Sequence, residues 1–399
     1  MIVVLGAGVA GTGAALAAAR TGAKVTLVDG GVGASTLWTG AVDDDGDGSV
    51  ASRELAGRLG VGISPTSVAT TTGYVRSADG RDLALLDLHA LRAERTTIGV
   101  VRCHRPGWSA DAVARAAGQR FSAVDATMLR HADERVLPDA DFAARHDDVA
   151  RLAWLAERLR EALQRAGGVR GLLLPPSLGV SAERASDLSR RVGVPCGEAM
   201  GLPGGPAGLR FESARDRALA GAGVDAVRGR ADAIEAAGAG ARWRVVVDGR
   251  PVEADAVIVA CGGFIGGGLE YQPSEWMLAA ALPPVARIPF HCTIAAPLPL
   301  GAHGKALALP GSLFGLPPEV IAWPLARDPL MERVGVLCGD DGRVAPGLFV
   351  AGELVADAPR TWLRALESGL RAGAGAARDM LTSTASRPAS TGPAPASRP

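Results

Sequence analysis

The chain is short of lysine, of tyrosine and of closely spaced cysteine, and each shortage excludes something. Two lysines, Lys24 and Lys305, stand among 42 basic residues, which 42 acidic residues balance. A formal net charge of zero leaves no basic face of the kind nucleic-acid binders carry. With two Tyr and 4% aromatic content, little side-chain surface remains on which bases could stack. The preference for Arg over Lys, with the excess of Ala and Gly, reads as coding bias. The five cysteines, at 103, 196, 261, 292 and 338, include no CxxC pair. This chain alone therefore offers no zinc knuckle and no thiolate set for an iron–sulfur cluster. An odd, scattered count suits free thiols in a reducing cytoplasm, the expected location. No run of 18 apolar residues is present, so no spanning helix is expected. The apolar N-terminus lacks the basic n-region of a secretory signal.

What is present is a long, apolar chain. Its 399 residues and 48% hydrophobic content fit two to three domains at about 150 residues each. Ile2–Leu5 is a short apolar run of the buried-strand kind, and Gly6-Ala7-Gly8 leads into an Ala-rich helix that Gly22 is placed to end. Lys24 to Val28 forms a second strand, closed by Asp29. This is βαβ grammar. Residues 30–48 are Gly, Thr and Asp rich and expected to be loop. Helices are expected over 50–60, 110–118, 149–165 and 182–192, and strands over 98–102 and 171–174, so the middle region makes an α/β layer of its own. From about 208 the pattern changes: a helix over 211–222 precedes strands at 226–228, 231–236 and 242–247, with Asp248-Gly249 as a hairpin turn. Ala256 to Ala260 is a buried-strand run, as is Leu348 to Ala351, and a last helix spans 362–381. Residues 271–330 are Pro-rich and expected to be irregular. The Ser, Pro, Ala and Thr tail from 382 cannot bury a core and is expected to be disordered.

The strongest motif is Gly6-x-Gly8-x-x-Gly11, with Ala15 four residues on. Gly6 permits the tight turn out of the strand, Gly8 lets backbone approach a pyrophosphate, and Gly11 with Ala15 packs helix on strand. The helix N-terminus offers N–H groups and a positive dipole end to the phosphates. Asp29 lies 21 residues after Gly8, where a carboxylate accepts bonds from the adenosine ribose.

Two later segments, Ala254 to Gly263 and Pro346 to Glu353, resemble the second and third signatures of two-dinucleotide-type flavoproteins. Leu348-Phe349-Val350-Ala351-Gly352-Glu353, followed by Ala365 to Gly373, resembles the fumarate reductase/succinate dehydrogenase flavoprotein superfamily. Length, layout and the early Trp38-Thr39-Gly40-Ala41-Val42-Asp43 segment are most similar to the B-type chains of anaerobic glycerol-3-phosphate dehydrogenases. The resemblance covers roughly 1–45, 205–265 and 335–382. It implies an α/β fold: a discontinuous Rossmann-type FAD domain (1–60, 205–265 and 335–381), an inserted α/β domain (61–204), a cap segment (266–334) and a tail (382–399). It implies a flavin-dependent dehydrogenase, or a component of one, acting on glycerol 3-phosphate or a similar hydroxy compound. It also implies a partner chain with iron–sulfur clusters or a membrane contact; the alternative is a non-catalytic flavin-holding component. The cofactor residues it implies are Gly6, Gly8, Gly11, Asp29, Thr39, Gly40, Ala260, Gly262, Gly352, Glu353 and Gly369. The B-type chains are FMN-binding, whereas Asp29 and the phosphate turn favour FAD. Residues 30–42 contain no His for covalent attachment, so the FAD is expected to be non-covalent, and the superfamily's His and Arg clamp for dicarboxylates is not found.

Two further groups bear on chemistry. Asp43, Asp45, Asp47, Gly48 and Glu54 match a calcium-loop spacing. The preceding segment is not helical, so an acidic turn without metal is the expectation. Among the basic residues, His291 and His303 lie in the Pro-rich stretch, and Arg287, Arg327 and Arg360 could hold an anionic substrate. His291 is the candidate general base. Arg360, between the Glu353 strand and the last helix, is the candidate anion holder.

Overall fold

The computed structural model describes residues 1–43, 48–91, 96–237, 242–273, 289–299, 304–305, 307–310 and 330–385. The chain is an α/β protein. Its main sheet has six strands, in the spatial order Asp225–Arg228, Val25–Asp29, Ile2–Leu5, Ala256–Val259, Leu348–Val350, Arg343–Ala345. All neighbours are parallel except the last pair. Ile2–Leu5, Ala256–Val259 and Leu348–Val350 are buried along their whole lengths. Unbroken apolar runs suit them because both faces are covered. Ile2 and Val4 face one core with Leu16, Phe211 and Leu366. Val3 and Leu5 face another with Ile234, Val245 and Val259. Helices cover the first face. The antiparallel Ala231–Ala236, Trp243–Val247, Arg250–Ala254 sheet supplies Ile234 and Val245 to the second.

The helix Val9–Ala19 packs on the helix Trp362–Ala385 with almost no side chain between them. A Cβ on Gly369 would lie 2.0 Å from the Ala10 carbonyl oxygen, and one on Gly373 would lie 2.2 Å from that of Ala14. These positions need glycine for close approach.

A second parallel sheet runs Phe121–Asp125, Thr97–Arg102, Val169–Leu174, Cys196–Glu198, with the helices Ala110–Ala117, Val149–Ala166 and Ala185–Val192 between successive strands. It has its own core, with Val100, Leu155, Leu159, Leu172 and Leu188 buried. A buried ion cluster joins it to the first unit. Arg210, on the Pro206–Gly221 helix, donates through Nε to Asp82 Oδ2 (2.8 Å), through Nη2 to Glu198 Oε2 (2.7 Å) and through Nη1 to the Gly179 carbonyl (2.6 Å). Glu198 also accepts from the Ser177 N–H at 2.6 Å.

Some expectations change, and segments without one take shape. Residues 61–82 form a long hairpin, Val61–Ala69 with Val75–Asp82. Pro65 disguises it, and the pairing accommodates this residue with a register shift between Ile63 and Thr66, as proline in a strand requires. The Pro-rich stretch is not wholly irregular: Leu269–Pro273, Pro289–Ile294 and Leu307–Pro310 make an antiparallel sheet. The last helix continues to Ala385, past the expected boundary at 382, and the rest of the tail lies outside the described residues. Among the described residues no helix is long and apolar enough to cross a membrane.

Candidate functional site

Strand order reverses direction at Ile2–Leu5: the chain goes first to Val25–Asp29 on one side, and later to Ala256–Val259 on the other. Ligands of open parallel sheets bind outside the carboxyl ends of the strands at such a switch point. A cleft of about 820 Å³ lies there, at the large end of the roughly 300–1,000 Å³ span of cofactor sites. Its floor is the Gly6-Ala7-Gly8 turn and the start of the first helix. Its walls are the 30–36 loop, Gly229 to Asp232, Ala260 to Gly262, and Gly352 with Glu353.

The phosphate turn is built by close contacts. Gly6 has φ +108° and a Cβ there would sit 2.2 Å from the Ala260 carbonyl oxygen. Gly11 presses its Cα face on the Gly6 carbonyl, with a Cβ position only 1.8 Å from that oxygen. Gly8 differs. Its backbone is extended (φ −70°, ψ −170°), and among the described residues the only atom near its Cβ position is Ser35 Oγ at 3.1 Å. Its bare face is thus kept for something outside the fold. Ser35 Oγ accepts the Val9 N–H at 3.1 Å and can turn its own proton outward. This residue escaped the sequence reading because it sits in a loop with no motif of its own.

At one end of the cleft Asp29 Oδ1 accepts the Gly31 N–H at 2.9 Å, and its neighbours Val28 and Gly30 line the wall. Arg215, from the Pro206–Gly221 helix, also lines it and donates through Nη1 to the Ala7 carbonyl at 3.0 Å. It too had no sequence signal: mid-helix arginines are usually surface residues. At the other end Glu353 Oε2 accepts the Gly263 N–H at 3.2 Å, which ties the two later signature segments together. Burial raises the Glu353 pKa, against the opposing pull of Arg360 and of that N–H. Arg360 lines the cleft, donates through Nη2 to the Val334 carbonyl at 2.9 Å and lies 4.8 Å over the Phe264 ring. Burial pushes the Cys261 thiol there up to about 11, so it stays protonated. The last helix starts at this end, with Thr361, Trp362 and Ala365 on the wall and the Arg364 N–H donated to Thr361 Oγ1 at 3.3 Å. Trp38 and Trp362 lie 5.8 Å apart. Among the described residues the buried Trp362 Nε1–H has no hydrogen-bond partner.

Of the residues marked in the sequence, Gly6, Gly8, Ala260, Gly262, Gly352, Glu353 and Arg360 meet at this cleft. Five do not line it. Gly11 packs on the Gly6 carbonyl, and Asp29 lies between the lining residues Val28 and Gly30. Thr39 stands apart from the wall. Gly40 (φ +107°) turns toward Asp82, Leu85 and Ala207, and its carbonyl accepts the Asp82 N–H. Gly369 is the close contact between the two long helices described above. For Gly40 and Gly369, the need for glycine is one of packing rather than of ligand approach. His291 pairs by backbone with Gln272 and Ala308, and its side chain lies outside the described residues. Arg287, His303, Arg327 and residues 44–47 of the acidic turn also lie outside them. Among the described residues no group of three or more His, Cys, Asp or Glu could hold a metal.

The residues fit an adenine-containing dinucleotide: a cleft of the right size, a helix N-terminus and a glycine face left bare beside it, a carboxylate at the ribose end and an orphaned indole N–H at the other. Residues 1–47 match the family model described as glucose inhibited division protein A. Among curated proteins, none matches the chain. Solved structures to which the chain is similar include a peptidyl tryptophan dihydroxylase essential for tryptophylquinone cofactor biogenesis, at 14% identity and TM-score 0.33, over 93% of this chain and 65% of that one. A flavin-dependent halogenase from Xanthomonas campestris is 13% identical, with TM-score 0.31, over 97% of this chain and 71% of the other. Glycine oxidase from Geobacillus kaustophilus is 13% identical, with TM-score 0.32, over 94% of both. This chain spans less than two thirds of the first of these three.

Proposed function

We propose that the chain is a flavin-dependent oxidoreductase that holds FAD non-covalently. The observation that carries this is the switch-point cleft, whose floor is the Gly6–Gly11 turn and whose far end is closed by Glu353, Gly262 and the start of the last helix. A bound flavin supplies the centre that accepts a hydride. The chain's own residues bind and orient it. The first helix's N-terminus and Ser35 face the phosphates, and Asp29 faces the ribose. Glu353, already fixed by Gly263, presents its second oxygen to the chain between phosphate and ring. Arg360 and the start of the last helix place positive charge where the reduced ring gathers negative charge.

The test is direct. The purified chain should show visible flavin bands, and the released cofactor should chromatograph as FAD. Because Trp38 and Trp362 line the cleft, adding FAD to apoprotein should quench their emission. A colourless protein whose emission FAD leaves unchanged would refute the reading.

Glycerol 3-phosphate or a similar small hydroxy compound is the proposed substrate, on the resemblance of the length, the layout and the 38–43 segment to the B-type chains of anaerobic glycerol-3-phosphate dehydrogenases. Anaerobic bleaching of the bound flavin by that compound supports it; bleaching only in the presence of another protein favours the flavin-holding component. The same resemblance supports a partner chain that takes the electrons. Pull-down from the source cell should recover an iron-containing or membrane-associated protein, and fast turnover by the lone chain with a soluble acceptor would count against it.

A further inference from the structure

The flavin reading gives Arg215 no task, but its position does. It rises from the middle of the Pro206–Gly221 helix and is 8% exposed. Nη1 donates to the Ala7 carbonyl of the phosphate turn at 3.0 Å. Nη2 lies 3.9 Å from Asp29 Oδ2. Nε donates to Asp216 at 2.8 Å, and Glu212 comes within 4.0 Å of Nη1. Three carboxylates thus surround the guanidinium, which itself lines the cleft wall beside the phosphate turn.

The helix that carries it is held firmly. The Arg210 cluster anchors it on the side of the second sheet. Toward the cleft, Gly208 packs so closely that a Cβ would lie 1.9 Å from the Thr36 carbonyl oxygen, and Thr36 Oγ1 donates to Glu212 at 2.5 Å. The guanidinium is thus a preorganised donor, which loses little entropy when a ligand arrives.

We propose that Arg215 determines the specificity of the cleft for a flavin dinucleotide over the mononucleotide. This rests on the flavin reading. FMN ends at its own phosphate, at the helix N-terminus, and has neither the second phosphate nor the adenosine ribose that this cation and Asp29 face. Arg215 therefore discriminates between the two flavins, whereas its bond to the Ala7 carbonyl serves the phosphate turn that both would use.

Titration of the full-length apoprotein with FAD and, separately, with FMN tests this, in the wild type, Arg215→Gln and Arg215→Lys. Arg215→Gln should weaken FAD by about ten- to a hundredfold, as expected for one charge-assisted contact, and weaken FMN by much less. Arg215→Lys, which keeps the charge without the fork, should fall between. An equal loss of both flavins would mark Arg215 as a support of the fold and overturn the proposal, as would an unchanged ratio of affinities. Should Arg215→Gln fail to fold, the same ratio in Arg215→Lys decides the matter. A wild-type chain that binds neither flavin overturns the flavin reading and this proposal together, whereas a wild type that binds FAD with no change of ratio in the variants overturns this proposal alone.

Discussion

Gly8 and Gly11 stand three residues apart in one motif, and alanine should act on them in opposite ways. At Gly11 the new methyl would lie 1.8 Å from the Gly6 carbonyl oxygen. An unstrained carbon–oxygen contact is about 3.3 Å, so strand and helix must part by about 1.5 Å. The helix has little room to shift, because Gly369 and Gly373 hold the last helix within backbone contact of it at Ala10 and Ala14. Overpacking of this kind costs about 1–3 kcal/mol when side chains can yield. With backbone at both contacts, about 3 kcal/mol or more is expected. At Gly8 the backbone is already extended, and the methyl meets only Ser35 Oγ at 3.1 Å. The apoprotein should lose about 0.5–1 kcal/mol, the difference between Gly and Ala as a helix N-cap. The ligand should lose much more. The methyl stands where a phosphate must approach two backbone N–H groups, so FAD affinity should drop by about a hundredfold or more. Urea unfolding of the two apoproteins, with FAD titration of each, separates the effects. A Gly8→Ala protein that keeps wild-type FAD affinity, or a Gly11→Ala protein of wild-type stability, would refute the reasoning.

Three further outcomes are expected. Burial, with Arg151 adding to it, lowers the pKa of fully buried His146 from 6.5 to about 4. The folded chain thus resists a proton that the unfolded chain accepts. The associated stability is present above pH 6.5 and is lost as pH falls toward 4, about 3 kcal/mol in all; urea unfolding at pH 7.5 and 5 should show a smaller loss in His146→Leu than in wild type. Arg210→Met leaves Asp82 and Glu198 buried without their cation and should cost about 3–5 kcal/mol, whereas replacing all three by apolar residues should cost less, as thermal unfolding can measure. Glu353 has a raised pKa, so its ionisation opposes folding above the pKa of the unfolded chain. Glu353→Gln, which still accepts the Gly263 N–H, should raise apoprotein stability at pH 7 and match wild type near pH 4 by calorimetry.

The dinucleotide unit was legible because its chemistry is local. Ile2–Leu5, the glycine turn and Asp29 sit within 30 residues and need only period, spacing and residue type. The hairpin turn at Asp248-Gly249 was legible for the same reason: both residues take positive φ, 46° and 72°. The hairpin at 61–82 was not, because Val75–Asp82 is nearly all polar and only its partner strand makes it a strand. Ser35 and Arg215 line the cleft without a signal in the sequence, and Gly40 and Gly369, expected at the cofactor, stand off the cleft wall, for one shared reason. Whether a residue faces a ligand or a neighbouring backbone depends on elements far away in sequence. Arg215 meets Ala7 across about two hundred residues, and Gly369 meets Ala10 across more.

That last contact bears on how the protein is made. The helix Val9–Ala19 finds its bare-backbone partner only when Trp362–Ala385 exists, some 340 residues later. At about 5–20 residues per second of synthesis, that is roughly 20–70 s on the ribosome with a small, apolar helix uncovered. The parallel sheet from 97 to 198 and its helices have no such wait, since every strand of it is adjacent to one made shortly before or after. The nascent chain therefore passes through a stage in which its middle is folded and its first βαβ unit is not. At that stage the glycine turn has no strand beside it to supply the Ala260 carbonyl, and nothing nucleotide-like can yet be held.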